Sequence, residues 1–291
     1  MPQTINTNLV SLNAQRNLSS SQSALATSMQ RLSSGLRVNS AKDDAAGLAI
    51  AERMSAQSRG MNVAMRNAND AISMTQTAEG ALGKVGDIFQ RMRELAVQSS
   101  NGTNSSADRV SLNEEFAQLA QEATRTLGGT QFNGTNILAA ATTAGTTFQI
   151  GANNDTALDR ITVASFNWAI NTSLTAVLSS AVLTGTAVPT STISGTDGSA
   201  AQTALGAIDV ALTAVNSQRA TFGAVQNRFD NVVANLMVNS ENQSAARSRI
   251  MDADYASETS NLSRASILQQ AGNAMVAQAN QLPQQVLALL R

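Results

Sequence analysis

Late in the chain, Leu205, Ile208, Leu212, Val215, Phe222, Val225, Phe229, Val232 and Leu236 recur at steps of three and four, with Arg219 at the seam position between Val215 and Phe222. That spacing lays one narrow apolar stripe along an α-helix and is incompatible with the two-residue alternation of a strand. A stripe this narrow cannot bury itself on one helix, so it demands another helix packed lengthwise, as in a coiled coil. Four further stretches obey the same rule. They run through Ile5, Leu9, Leu12, Leu25, Met29, Leu32 and Leu36; through Met61, Met65, Ala68, Ile72, Leu82, Val85, Phe89 and Met92; through Leu112, Phe116, Leu119 and Ala123; and through Leu268, Ala271, Met275, Ala279, Leu282, Val286 and Leu289.

Composition supports the helical reading. Hydrophobic residues make up 43% of the 291, yet aromatics only 3%. The apolar content is therefore Ala, Leu, Val, Ile and Met, which favours helices over an aromatic-rich core. With no Cys and no His, a structural zinc site, a thiol nucleophile and a Ser-His-Asp triad are excluded. A net charge of −1 gives no bulk field for nucleic acid or an acidic membrane. No run of about 18 apolar residues spans a bilayer, and MPQTINTNLVSLNAQRN lacks the basic and apolar regions of a cleaved signal peptide. The expectation is a protein with no catalytic site, cofactor or metal, and with neither nucleic acid nor membrane as partner.

Turn signals divide the stripes. Gly35–Ser40 reads as a break, with Ser40 and Asp43 forming a capping box for the helix that follows. Asn101-Gly102 through Ser106 separates two helices, Gly128-Gly129 ends the third, and Phe132-Asn133-Gly134 reads as a turn. TTFQIGANNDTALDRITV alternates about a Gly-Ala-Asn-Asn turn and predicts a β-hairpin. Beyond it, Ile161–Gly195 carries no charge and is rich in Ser and Thr, the composition of an exposed connection. The Met residues at 54, 61, 65, 74 and 92 read as adaptable packing, and Pro283 as a loosening of the last helix.

The two ends share an unusual charge pattern. Residues 1–42 hold Arg16, Arg31, Arg37 and Lys42, and residues 259–291 hold Arg264 and Arg291, with no acid in either. All twenty acids lie from Asp43 to Glu258, so these arms are expected to pair without side-chain salt bridges. Their polar faces are Asn, Gln and Ser, which satisfy hydrogen bonds in a crowded interior without stripping ions of water. Ordinary solvated helix faces carry many Glu and Lys. These faces are suited to close neighbours.

The same ends carry long motifs in order: INTNLVSLNAQRNL, RLSSGLRVNSAKDDAAGLAIAERM, QRMRELAVQSSNGTNS and GTQFNGTNIL, then FGAVQNRFDNVVANL, ENQSAARSRIMDADYASE and AQANQLPQQVLALLR. On these the chain resembles bacterial flagellin over most of its length, with a short middle in place of bulky outer domains. A hook–filament junction protein is the alternative, disfavoured by the dense match of the Gln90–Ser105 and closing segments. A protease-bearing flagellin lacks its zinc ligands here, and a chemoreceptor-like coiled coil lacks its membrane span.

The resemblance implies a mostly α fold: a long antiparallel helical rod with coiled-coil character, a small β-hairpin region and terminal helical arms. The expected divisions are an N-terminal arm at 1–44, rod segments at 45–138 and 201–252 around a hairpin and short variable surface segment at 139–200, and a C-terminal arm at 253–291. It implies a structural subunit that self-assembles into the extracellular flagellar filament for swimming motility, exported by the flagellar type III apparatus. The arms would polymerise through Ile5, Leu9, Leu12, Leu268, Met275, Leu282, Val286 and Leu289. Implied partners are other copies of the chain, an export chaperone on the C-terminal arm, and the flagellar cap and hook-junction proteins. A host flagellin-sensing Toll-like receptor would read Arg91, Leu95 and Glu115. Ala45, Ala46, Gly47 and Ala49 would let backbones approach where subunits stack.

Overall fold

The computed structural model describes residues 7–138, 145–164, 166–168, 171–178 and 191–289, with side chains described to residue 281. The elements in chain order are α1 (Leu9–Ser34), α2 (Ala45–Ser100), α3 (Ser106–Gly129), β1 (Gln131–Phe132), β2 (Thr135–Asn136), β3 (Thr146–Gln149), β4 (Arg160–Val163), α4 (Thr172–Thr175), α5 (Ser199–Met251) and α6 (Tyr255–Leu289). The described contacts form two compact units, residues 1–58 with 241–291, and residues 59–240. The divisions fall inside α2 and α5 rather than at the turns that precede and follow them.

In the unit of residues 59–240, α2 buries Ala64, Ala68, Ala71, Thr75, Ala78, Leu82, Val85, Phe89, Met92, Ala96 and Ser99, a strict alternation of four and three. Helix α5 answers with Ala201, Ala204, Ile208, Ala211, Val215, Phe222, Phe229 and Leu236. The two run antiparallel, because Arg93 meets Asp209, Glu79 meets Gln226 and Asn62 meets Ser240. The seam position between Val215 and Phe222 is held by Gln218, whose buried Nε2 has no hydrogen-bond partner among the described residues. Arg219, read as the seam residue, is exposed. A one-residue shift of about 100° accounts for the difference, since Leu205 and Leu212 flank the seam and Ala204 and Ala211 line it.

Helix α3 adds Phe116, Ala120, Ala123 and Leu127 to this core. Its start is set by a capping box: Ser105 Oγ accepts from Asp108 N, and the Asp108 carboxylate accepts from Ser105 N. These Ser105 contacts hold the Asp108 carboxyl below the ordinary aspartate range. Strands β1 and β2 pair antiparallel around Asn133 and Gly134, both at positive φ (49° and 74°). That is the two-residue turn for which Asn-Gly is suited.

The predicted hairpin is present, Thr146 pairing with Val163 and Gln149 with Arg160. Alternation turns Ile161 and Val163 inward, Phe148 meets the Phe229 ring edge-on at 5.9 Å, and Asn67 donates to Gln149 O. The connection runs from Ile150 to Asp159, longer than the Gly-Ala-Asn-Asn turn.

The described residues after the hairpin, 166–168, 171–178 and 191–195, do not form a surface connection. Phe166, Trp168, Leu174, Val177, Leu178 and Ile193 all join the core, none more than 7% exposed.

In the unit of residues 1–58 and 241–291, α1 ends at Gly35, whose φ of 71° closes a bond to Arg31 O. Ser40 and Asp43 do not cap α2. Asp43 instead accepts from Ser40 Oγ, Ser40 N and Asn39 N, closing a turn, and these contacts lower its pKa from the ordinary value. Asp44 supplies the cap, accepting from Gly47 N at 2.8 Å. Gly47 is buried and leaves no room for a Cβ beside the Asp44 carboxylate, so its smallness serves this turn. The connections on either side of the arms clasp each other. Leu36 and Asp252 form an antiparallel bridge, Arg37 N donates to Met251 O, and Ala253 N donates to Gly35 O. Val38, Ala51 and Met251 form a small core beneath the clasp.

Candidate interaction surfaces

The first surface belongs to the paired arms. Asn8 caps α1 with its side-chain oxygen and donates through Nδ2 to Ala279 O at 2.7 Å. Ser11 Oγ donates to Asn280 Oδ1 at 2.7 Å, and Gly272 packs on Leu18, where a Cβ would stand 3.1 Å from its Cδ1. Arg31 lies 3.9 Å from Glu258. These contacts run α1 antiparallel to α6. Among the described residues, the buried ones in the arms are Ser11, Ser28, Glu258, Ala265 and Ala279, with Leu18, Leu25 and Leu32 partly buried on the same face of α1, so small and polar side chains alternate with leucines along the seam.

The expected apolar seam residues point elsewhere. Leu9 is 68% exposed, Leu12 47%, Leu268 51% and Met275 61%, with Val10, Met29 and Ile267 also exposed. Small residues let the two backbones close together at the most buried positions, and the large side chains on the other faces of α1 and α6 are left outward. Leu9, Val10, Leu18, Leu268, Gly272 and Met275 line an open apolar groove of about 530 Å³. Ile5 lies outside the described residues. Leu282, Val286 and Leu289 fall within α6, beyond the residues whose side chains are described. The expectation of arms without ion pairs fails at Glu258, the buried acid in the first turn of α6.

The second surface lies on α2 and α3. Arg91 donates through Nε and Nη2 to Glu115 Oε1, at 3.0 and 2.8 Å, and through Nη1 to Glu94 Oε2 at 3.0 Å. The Glu115 contact first, and then Glu94, raise the Arg91 pKa further. Both Arg91 and Glu115 are about half exposed. Leu95 is not on this surface. It is 1% exposed and part of the helical core, because it flanks Met92 and Ala96 on the buried side of α2.

One interior site escaped the sequence reading. Arg109, 3% exposed, donates from Nε to Ser99 O, from Nη1 to Thr196 O and from Nη2 to Asn101 O. It caps the carbonyl end of α2 and ties it to the strap before α5. Ser99 Oγ and the Asn113 side chain hold the same strap through Ile193 O and N, and Gly198 passes so close that a Cβ would lie 2.6 Å from Ser100 O. The signal was available, since Arg109 sits seven residues before Phe116 on the apolar face of α3.

Among the described residues, no group of His, Cys, Asp or Glu could hold a metal ion, and no helix is long and apolar enough to cross a membrane.

Comparison with known proteins agrees along the whole chain. Residues 5–143 match the bacterial flagellin N-terminal helical region, and residues 205–290 the bacterial flagellin C-terminal helical region. A flagellin of Halalkalibacterium halodurans is 48% identical over 287 residues, covering 99% of both chains. Flagellin C of Vibrio cholerae is 37% identical, covering 98% of this chain and 99% of its own. Among solved structures, Bacillus cereus flagellin aligns with a TM-score of 0.47 at 32% identity, covering 59% of this chain and 88% of that one.

Proposed function

The chain belongs to the bacterial flagellin family, whose members self-assemble into the extracellular flagellar filament, and from that premise we propose that its outward apolar arm faces are the surfaces through which copies join. Its role is structural, as a filament subunit serving motility. The observation that carries the assignment of the arms is the inversion of their packing. Leu9, Val10, Leu268 and Met275 stand in solvent while Ser11, Ser28 and Ala279 are covered. Apolar surface of this extent gains about 25 cal/mol per Å² when covered, and an acid-free polar face leaves no carboxylate to desolvate on contact. Neighbouring subunits supply the cover. Removing residues 1–40 or 262–291 abolishes filament growth while the unit of residues 59–240 stays folded by circular dichroism. Normal filaments from either truncation would overturn the assignment.

The remaining roles follow from family membership together with this chain's residues. The protein is not an enzyme and leaves the cell through the flagellar type III apparatus. Before export its C-terminal arm is held by a chaperone that covers Ile267, Leu268 and Met275. The assembled chain meets cap and hook-junction proteins at the filament ends. For a host Toll-like receptor, the exposed Arg91–Glu115 pair is the recognition feature. A planar, multi-donor guanidinium can trade its carboxylate for a receptor acceptor, which Lys cannot copy. Leu95 supports α2 from beneath and makes no receptor contact in this conformation. Arg91→Ala removes receptor signalling by monomer and leaves the unfolding midpoint within error; equal signalling by the variant would refute this role.

A further inference from the structure

The described methionines span the range of exposure, with Met54, Met61 and Met65 half-buried between two extremes. Met74, Met92 and Met251 are buried, at 7%, 0% and 6%. Met275, Met29 and Met237 stand open at 61%, 54% and 58%. Two of the three open ones lie on the arms, and Met275 lines the apolar groove with Leu9, Val10, Leu18 and Leu268. Leu or Ile would give that face the same apolar area. A thioether adds one property they lack: it is oxidised under mild conditions to a polar sulfoxide.

We propose that Met275, with Met29, is an oxidation site that switches assembly off. The inference rests on the reading of the arm faces as subunit contacts. The oxidant is a peroxide. The thioether sulfur attacks one peroxide oxygen, the O–O bond breaks, a sulfur–oxygen bond forms, and hydrogen peroxide leaves as water; sulfur is oxidised by two electrons and the peroxide reduced by two. In the unassembled chain both residues are more than half exposed. The sulfoxide then places a strong acceptor on a face whose partner surface is apolar, and burying it without a donor opposes contact. No charge or backbone change is needed. Once subunits cover the groove the sulfur is shielded, so the switch acts on free chains and spares finished filament.

The test treats full-length monomer with hydrogen peroxide, maps sulfoxides by peptide mass spectrometry, and then seeds assembly. The expected order is Met275, Met29 and Met237 first, with Met74, Met92 and Met251 last. Elongation of the oxidised chain falls by roughly tenfold or more, as expected for losing a buried Met-sized contact. Methionine sulfoxide reductases restore it. The Met29→Leu, Met275→Leu chain, a volume-conserving exchange, elongates equally before and after peroxide although Met237 still oxidises. Unchanged elongation with both sulfurs oxidised, failure of the reductases to restore growth, or equal poisoning of the double variant would each overturn the proposal. A separate arm oxidises preformed filaments. If Met275 and Met29 react there as fast as in monomer, the arm faces are not covered and the underlying assembly reading fails. If they are protected and oxidised monomer still grows normally, only the switch fails.

Discussion

Replacing Trp168 separates a buried anchor from a surface connection more cleanly than a deletion can. Trp168 is 1% exposed, and its Nε1 finds no acceptor among the described residues. A fully buried Trp covers about 150–250 Å², which at about 25 cal/mol per Å² is about 4–6 kcal/mol as an upper bound. Measured large-to-small substitutions place Trp→Ala at about 3–5 kcal/mol. Trp168→Ala therefore lowers the unfolding free energy of the unit of residues 59–240 by about 3–5 kcal/mol. Trp168→Phe behaves differently. It loses about 1–2 kcal/mol of burial and packing but removes an unpaired N–H that costs about 1–3 kcal/mol, so its net effect lies between about 1 kcal/mol less and about 2 kcal/mol more stable than wild type. Urea unfolding followed by far-UV circular dichroism measures both, since the substitutions remove the chain's single Trp. An Ala variant within about 0.5 kcal/mol of wild type, the range of surface substitutions, would refute the burial of this segment. A Phe variant as damaging as Ala would show instead that Nε1 is well paired.

Arg109→Ala leaves the buried Ser99 carbonyl and the more accessible Thr196 carbonyl without the guanidinium donors, while Asn101 O keeps Asn104 N; at about 1–3 kcal/mol for an orphaned buried group and less where water reaches, the same unfolding assay should lose about 2–4 kcal/mol. Because its capping contacts lower the Asp108 pKa, their stabilisation is present above the unfolded value near 3.8 and is lost as pH falls through the depressed folded value. A pH series of thermal melts should therefore show an acid-side decline that Asp108→Asn flattens. Leu95→Ala opens a cavity and costs about 2–5 kcal/mol of stability, whereas Arg91→Ala leaves the melt unchanged, so receptor assays on the double variant would confuse unfolding with recognition.

The long helices and the hairpin could be read from the sequence because their signals are local. The three-and-four steps of α2 and α5 are present in the structure, with part of the α5 stripe flanking the seam one residue away from the positions that line it, and Thr146–Val163 pairs end to end as its alternation predicts. What failed depends on distant partners. Ser40 with Asp43 has the composition of a capping box, but the chain turns once more and Asp44 takes that role; nothing local distinguishes the two. Trp168, Leu174 and Ile193 lie in a stretch without periodicity, because irregular backbone docks single side chains instead of a face. Leu95 matches a recognition pattern and also the flank of the Met92 seam, and packing decides for the core. The arm stripes are helical but divided in direction: Leu9, Leu12, Met29, Leu268 and Met275 face out, while Leu25, Leu32, Leu36 and Ala279 are partly or fully covered. Periodicity identifies an apolar face without saying whether the partner is the other arm or another molecule, and here α1 and α6 approach through Ser, Ala and Gly.

The outward direction of those stripes is the claim on which the account turns, and Val10→Asp together with Leu268→Asp tests it most directly. Both side chains are more than half exposed, so the variant monomer should melt as wild type does. In a covered subunit contact, each new carboxylate must be stripped of water with no cation opposite, which costs several kcal/mol. The measurement is the critical concentration for seeded filament growth, read by sedimentation. The account predicts that it rises by at least roughly a hundredfold, about 2.7 kcal/mol, or that no filament forms. Filaments growing at the wild-type critical concentration would contradict it.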